Sequence, residues 1–489
     1  LAAIADAALD RARASGATHA EARVERSRSL SVRVRDHELE GVGEDLTVGL
    51  SVRVLCDGTW GFAASTDMTV DAAARAAEDA VKVSRISAPL NTEPVELAPE
   101  PTYQAEWVSA YEINPFDVDP AERIELLKSW TAALLSDVRV AHADASVLAV
   151  QENKFYADMA GTQTTQQRVR LHPTATAVAV DHDSGAFDTM RTLGPPAGRG
   201  WEYLHGVGGT NWLAELAEIP ELLAEKMAAP EVDAGEYDVV IDPSNLWLTI
   251  HESIGHATEL DRALGYEAAY AGTSFATFDQ LGSLVYGSPV MHVTGDRDVV
   301  HGLATVGYDD EGVAAQSWDL VRDGILVGYQ LNRAMAALKG LGRSNGCAFA
   351  DSPQRVPLQR MANVSLQPTP GGPSTADLIS ATGDGIYVVG DKSWSIDMQR
   401  YNFQFTGQRF YRIKSGRLAG QLKNVAYQGT TTQFWGSMEA VGGESTYVLG
   451  GAFNCGKGQP GQIAAVSHGC PSALFRRVRI LNTNEEAGR

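Results

Sequence analysis

Residues 237–267, YDVVIDPSNLWLTIHESIGHATELDRALGYE, constrain the fold most, because an apolar helix there carries ionisable groups that it cannot bury alone. A short strand, 238–241, runs into Asp242-Pro243. Asp242 suits a helix N-cap and Pro243 suits the first turn. Leu246, Ile250, Ile254 and Ala257 form one apolar stripe, and Trp247 and Leu248 add apolar surface elsewhere. A helix apolar on several sides is largely buried. Yet this one carries His251, Glu252 and His256. An unpartnered buried carboxylate is costly, and a bound divalent cation would offset that cost.

The spacing is H-E-x-x-x-H, one residue longer than the H-E-x-x-H of familiar zinc helices. On a regular helix His251 and His256 would point about 140° apart. A local i→i+5 turn would stack them on one face, and Gly255 makes that distortion easier. The spacing therefore predicts a distorted helix at 251–256. Catalytic zinc usually takes three protein ligands and water. Three candidates for the third are open. Glu259 is near in sequence, although supporting His256 from behind or pairing with Arg262 suits it better. Cys455 lies in GAFNCGKGQPGQ, a Gly-rich setting that suits a turn, with Lys457 nearby to favour the thiolate. His468 lies in AVSHGC. Cys56, Cys347 and Cys470 read as packing.

Composition limits the surroundings of such a site. With 489 residues, two or three domains of roughly 100–200 residues are expected. The formal net charge of −21 disfavours nucleic acid and anionic membrane surfaces as partners. Four cysteines in so long a chain are no disulfide framework. No window reaches the ~18 apolar residues of a membrane span, and the first residues lack an apolar leader core. A cytoplasmic location is expected.

Alternation of apolar and charged residues predicts strands at 19–34, 45–55 and 60–64, an antiparallel sheet with one wet face. Helices are expected at 2–15, 69–84, 120–136 and 211–228, the last interrupted at Pro220. Four more strands are expected at 138–150, 153–159, 165–171 and 174–181. The Pro-, Gly- and acid-bearing segment 228–238 divides the chain, predicting domains at 1–230 and 231–489. Beyond it, Gly-punctuated strands dominate to about residue 450, for example 324–331, 385–391, 409–420 and 421–429, with helices at 332–339 and 374–381. The fold class is α+β: an α/β N-terminal domain with an antiparallel sheet plus helices, then a β-rich C-terminal domain carrying the histidine helix.

Taken together, RDHELEGVGEDLTVGLSVRVLCDGTWGFAAS (35–65), HESIGHATE (251–259), GYDDEGVAAQSWDLVRDGILVGYQLNR (307–333), RMANVSLQPTPG (360–371), GIYVVG (385–390) and NCGKGQPGQ (454–462) resemble the TldD branch of the TldD/PmbA family of metallopeptidases. The resemblance covers nearly the whole chain. It implies one zinc ion per chain, held at His251, His256 and Cys455. It implies unfolded or unstructured peptides as substrates. It also implies a homodimer, or a heterodimer with a PmbA/TldE-like subunit of the branch that lacks the HExxxH signature. The segments VSHGCPSALF and GCAFADSPQRVP depart from the family pattern.

Zinc chemistry then assigns Glu252 as the general base that activates water. Asp309, Asp310 and Glu311 are candidate readers of a peptide amino terminus, with an acidic surface turn as the plain alternative. Two other functions compete. One is a non-catalytic subunit that binds peptides within a dimer. The other is a zinc hydrolase of small amides.

Overall fold

The computed structural model describes residues 1–487 and is mixed α+β. Seven strands build the first sheet: β1 (His19–Arg35), β2 (Glu38–Cys56), β3 (Thr59–Ser65), β4 (Gln104–Val108), β5 (His142–Asp158), β6 (Gln163–Val180) and β7 (Phe187–Arg191). Their order is β3-β2-β1-β5-β6-β4, with β7 also paired to β6. Only β4 runs parallel to its neighbour. Two-residue turns join the first three strands. Asp36 and His37 have φ of 48° and 69°, and Asp57 and Gly58 have 49° and 77°. Positive φ at both positions matches the right-handed twist of a hairpin.

β5 and β6 are unbroken where local alternation predicts four shorter strands. Their pairing runs from His142↔Val178 to Ala157↔Gln163, so each strand carries the other across the irregular stretch. Helices α1 (Ala2–Ala14), α2 (Val70–Ser87), α3 (Pro120–Leu135) and α4 (Trp212–Ala228) cover one face. On β1 that face is Ala20, Ala22, Val24, Leu30, Val32 and Val34, all buried. α4 continues through Pro220, against expectation. One lost backbone bond is tolerated there because Leu216, Ile219 and Leu223 hold its apolar face in the core.

The opposite face is a correction to the wet surface expected from its charges. Glu21, Arg23, Glu25, Arg53, Glu152, Lys154, Arg168 and Arg170 are all buried. Arg23, Lys154 and Arg53 dock on the second half of the chain through ion pairs to Asp310 and Glu311.

That half begins with β8 (Gly235–Ile241), which pairs parallel to Gly385–Ile396. From there antiparallel pairing passes through Asn402–Lys414, Val425–Thr430 and Ala473–Asn482, and back to β8. Five strands thus close a ring. Its aromatic and aliphatic side chains, among them Val239, Ile386, Phe405, Tyr427 and Phe475, form the largest core together with Leu246 and Ile250 of α5 (Pro243–Ile250). The strands do not stop near residue 450. Val448–Lys457 and Gln462–Cys470 make a two-stranded ribbon beside α5. The expected strand 324–331 shrinks to Ile325–Leu326. Among the described residues no helix is long and apolar enough to cross a membrane.

Gly61 marks where α2 lies on β3: a Cβ there would sit 1.9 Å from the Ala80 carbonyl oxygen, which is backbone and cannot swing away. Gly61→Val should destabilise by about 1–3 kcal/mol. The expected readout is a lowered unfolding midpoint with metal content unchanged.

Candidate metal centre

The site is built where α5 ends. Asp242 caps the helix, its Oδ1 accepting from the Ser244 N–H at 3.0 Å, and Pro243 opens the first turn. The backbone then widens over 251–255. The His256 N–H donates to the His251 carbonyl at 3.1 Å, an i→i+5 bond. As expected from the spacing, this brings the two imidazoles onto one side, with ring centroids 4.7 Å apart. A wide turn frees carbonyls that a buried site must satisfy. Tyr286 Oη donates to the Ser253 carbonyl at 2.5 Å, and Gln330 Nε2 donates to that of Gly255 at 2.7 Å. A side chain at 255 would collide with Met361, whose Sδ lies 2.6 Å from where a Cβ would stand.

Cys455 arrives from the ribbon. It sits in the strand Val448–Lys457 and not in a turn, at a register shift between Ala452 and Cys455. The irregularity re-aims the side chain, as β-bulges do. One donor atom each from His251, His256 and Cys455 lies within 4.8 Å of the other two. His256 Nε2 and Cys455 Sγ are 3.6 Å apart. Ligands around a tetrahedral ion bound at ~2.0–2.3 Å are spaced on the order of 3.5 Å, so the set fits such a cation and leaves a fourth position.

The charge environment suits metal binding. Burial would raise the Cys455 thiol, but the adjacent His256 and the Arg360 guanidinium outweigh it, and the net shift is downward. Lys457, expected to act on this thiol, is turned elsewhere: it donates to Glu259 Oε1 at 3.1 Å and to Asp261 Oδ1 at 2.8 Å. Burial pushes His251 and His256 below the ordinary imidazole range, favouring the neutral form that can bind a metal.

The two other candidate ligands lie behind the histidines. Glu259 Oε2 faces His256 Nδ1 at 2.9 Å and accepts from Arg262 Nε at 3.1 Å. Burial opposes its ionisation, but Lys457 and Arg262 hold its carboxyl well below the usual range. His468 lies 2.7 Å from His251 Nδ1, through its Nε2. Glu252 is buried, and its Oε2 accepts from Arg400 Nη1 at 2.7 Å. No motif pointed to Arg400. It stands in a loop with φ of 63°, in a turn gathered by Asp397, whose carboxylate accepts from the backbone of Gln399, Tyr401 and Asn402.

Asp309, Asp310 and Glu311 are buried, and their carboxylates are already engaged. Asp310 accepts from Lys154 Nζ at 2.9 Å and Arg23 Nη1 at 3.1 Å, both from the first sheet. Glu311 accepts from Arg53 Nη2 at 2.9 Å. Asp309 accepts from the backbone N–H groups of Glu311, Val313 and Ala348, and burial beside Glu311 pushes its carboxyl up to about 8. Asp310 and Glu311 join the two halves of the chain, and Asp309 braces the turn that carries them. A carboxylate free to read a peptide terminus is not among them.

Residues 234–482 match the model of the PmbA/TldA metallopeptidase C-terminal domain, and residues 20–84 match that of PmbA/TldA metallopeptidase domain 1. The chain belongs to the PmbA/TldD family of metallopeptidases. A protein of Methanothermobacter thermautotrophicus named Metalloprotease is 27% identical over 471 residues, 95% of this chain and 96% of its own length. A Saccharolobus solfataricus protein named Zinc metalloprotease TldD homolog is 25% identical over 266 residues, 54% of this chain and 56% of its own. In fold, the PmbA/TldD chain is similar to TldE from Thermococcus kodakarensis, with a TM-score of 0.74 and 16% identity over 96% of this chain and 98% of that one.

Asp310→Asn removes the anion between two buried cations and should cost about 3–5 kcal/mol, measured as a shifted denaturation midpoint. Acid should loosen the same seam. Burial would raise the Glu21 carboxyl, but Arg53 holds it down at about 2, against an ordinary 4.5. Its stabilising contribution is full above the ordinary value and is lost as pH falls toward 2. Unfolding midpoints measured from pH 6 to pH 2 should fall less steeply in Glu21→Gln than in the parent.

Proposed function

We propose that this chain is a zinc-dependent peptidase that hydrolyses unfolded or unstructured peptides, with Glu252 as general base. The convergence of two imidazoles and a thiol within 4.8 Å carries the reading. Two nitrogens and one sulfur form a zinc-type donor set, with three protein ligands as in catalytic sites. The name of the Saccharolobus relative supports the same metal.

A zinc ion held by His251, His256 and Cys455 would polarise a peptide carbonyl and lower the pKa of water toward ~7. The chain's own groups do the rest. Glu252 takes the proton of the attacking water and returns it to the leaving amine. Arg400 grips Oε2 of that carboxylate, which fixes its rotation and leaves Oε1 for the proton. Glu259, Lys457 and Arg262 hold His256 in a buried ionic cluster.

Burial supports the substrate class. His251, Glu252, His256 and Cys455 are each only 5–6% exposed, so a folded protein surface does not reach them. Likeness to TldE supports a dimeric partner of the same fold, a homodimer or a PmbA/TldE-like subunit. A non-catalytic peptide-binding subunit would have no use for a buried carboxylate held by Arg400 beside this donor set.

Glu252→Gln should retain zinc and lose about 10²–10⁴-fold in cleavage of an unstructured peptide. His251→Ala, His256→Ala and Cys455→Ser should each lower zinc content in elemental analysis. Full cleavage by the Gln variant would remove Glu252 from its role. Cleavage that survives complete chelation in a zinc-free preparation would end the zinc reading.

A further inference from the structure

His468 lies in the strand Gln462–Cys470 and is fully buried. Its Nδ1 is 2.9 Å from the carbonyl oxygen of Val364. A carbonyl only accepts, so Nδ1 carries the proton of this imidazole. His468 Nε2 is then a bare lone pair. It faces His251 Nδ1 at 2.7 Å, and that nitrogen must be the donor. His251 is therefore left with its own lone pair on Nε2, the atom at the opposite side of the ring.

We propose that His468 is a positioning residue that locks His251 in the Nδ1–H tautomer and so presents Nε2 to the metal. This rests on the reading of His251 as a ligand. The Val364 carbonyl, His468 and His251 form one buried hydrogen-bonded chain. Trp247 lies nearly parallel to the His468 ring, 9° between planes at 6.3 Å between centroids.

The two ligand histidines are thus oriented by different chemistry. His256 faces a carboxylate, Glu259, and His251 faces a neutral imidazole. A carboxylate behind a ligand raises its basicity as well as fixing its tautomer. A neutral ring fixes the tautomer and adds no negative charge. With Cys455 as thiolate, this arrangement limits the negative charge around the cation.

The test uses the full-length protein with His468→Leu and His468→Gln. Glutamine can accept from His251 through its carbonyl and donate to Val364 through its amide, so it should rescue. Zinc affinity, measured by chelator competition, should weaken about 10–100-fold in the Leu variant and stay within about threefold of the parent in the Gln variant. Nitrogen-15 spectra of histidine-labelled, metal-free protein should show His251 with its proton on Nδ1 in the parent and Gln variant, and a tautomer mixture in the Leu variant. A Leu variant that binds zinc as tightly as the parent overturns the proposal. So does a parent spectrum with the His251 proton on Nε2, and this readout decides the matter even if the Leu variant does not fold. Failure of the metal reading looks different: the parent takes up no zinc, and the tautomer spectrum is unaffected.

Discussion

One backbone hydrogen bond, from His256 N–H to His251 carbonyl, underlies the whole centre. A regular helix would spread the two imidazoles over different faces, and no single cation could use both. The wide turn stacks them, but it is unfavourable without help. Gly255 gives the backbone room, and Tyr286 and Gln330 pick up the carbonyls that the turn releases. The π-turn is thus signalled by local spacing, and its freed carbonyls are satisfied from strands and loops far away in sequence.

Burial is the second constraint. A site that excludes water strengthens electrostatics, and it penalises every unpaired charge equally. The centre answers with a layered arrangement. The histidines and cysteine face inward, Glu259, Arg262, Lys457 and Asp261 balance one another behind them, and Arg400 balances Glu252. Arg400 reaches Glu252 from a loop at positive φ, a conformation that persists only where the surrounding structure holds it.

The same logic joins the two halves of the molecule. The charged face of the first sheet is buried against the acidic turn 309–311, with Arg23, Lys154 and Arg53 meeting Asp310 and Glu311. Lys154 also lies over the Phe349 ring at 4.2 Å. Alternating charge along a strand normally means solvent. Here the counter-charges come from far along the chain, as with Lys154 and Asp310, separated by 156 positions.

H-E-x-x-x-H beside glycine signalled the distorted turn, though not the distant groups that hold it; local pattern determined the capped helix at Asp242, the hairpin turns and the four helices of the N-terminal half. These depend on neighbours within a few residues, whose propensities are written in order along the chain. Motif resemblance singled out Cys455 among three open candidates, but not the strand that carries it, since glycines hide the alternation of Val448–Lys457. Only tertiary structure decided that the charged sheet face is dry, that Lys457 serves Glu259 and not the thiol, and that Arg400 and His468 stand against Glu252 and His251. Each of those facts is a pairing between distant residues. A pairing of that kind is chosen by which surfaces meet in the closed fold, and no local period records it.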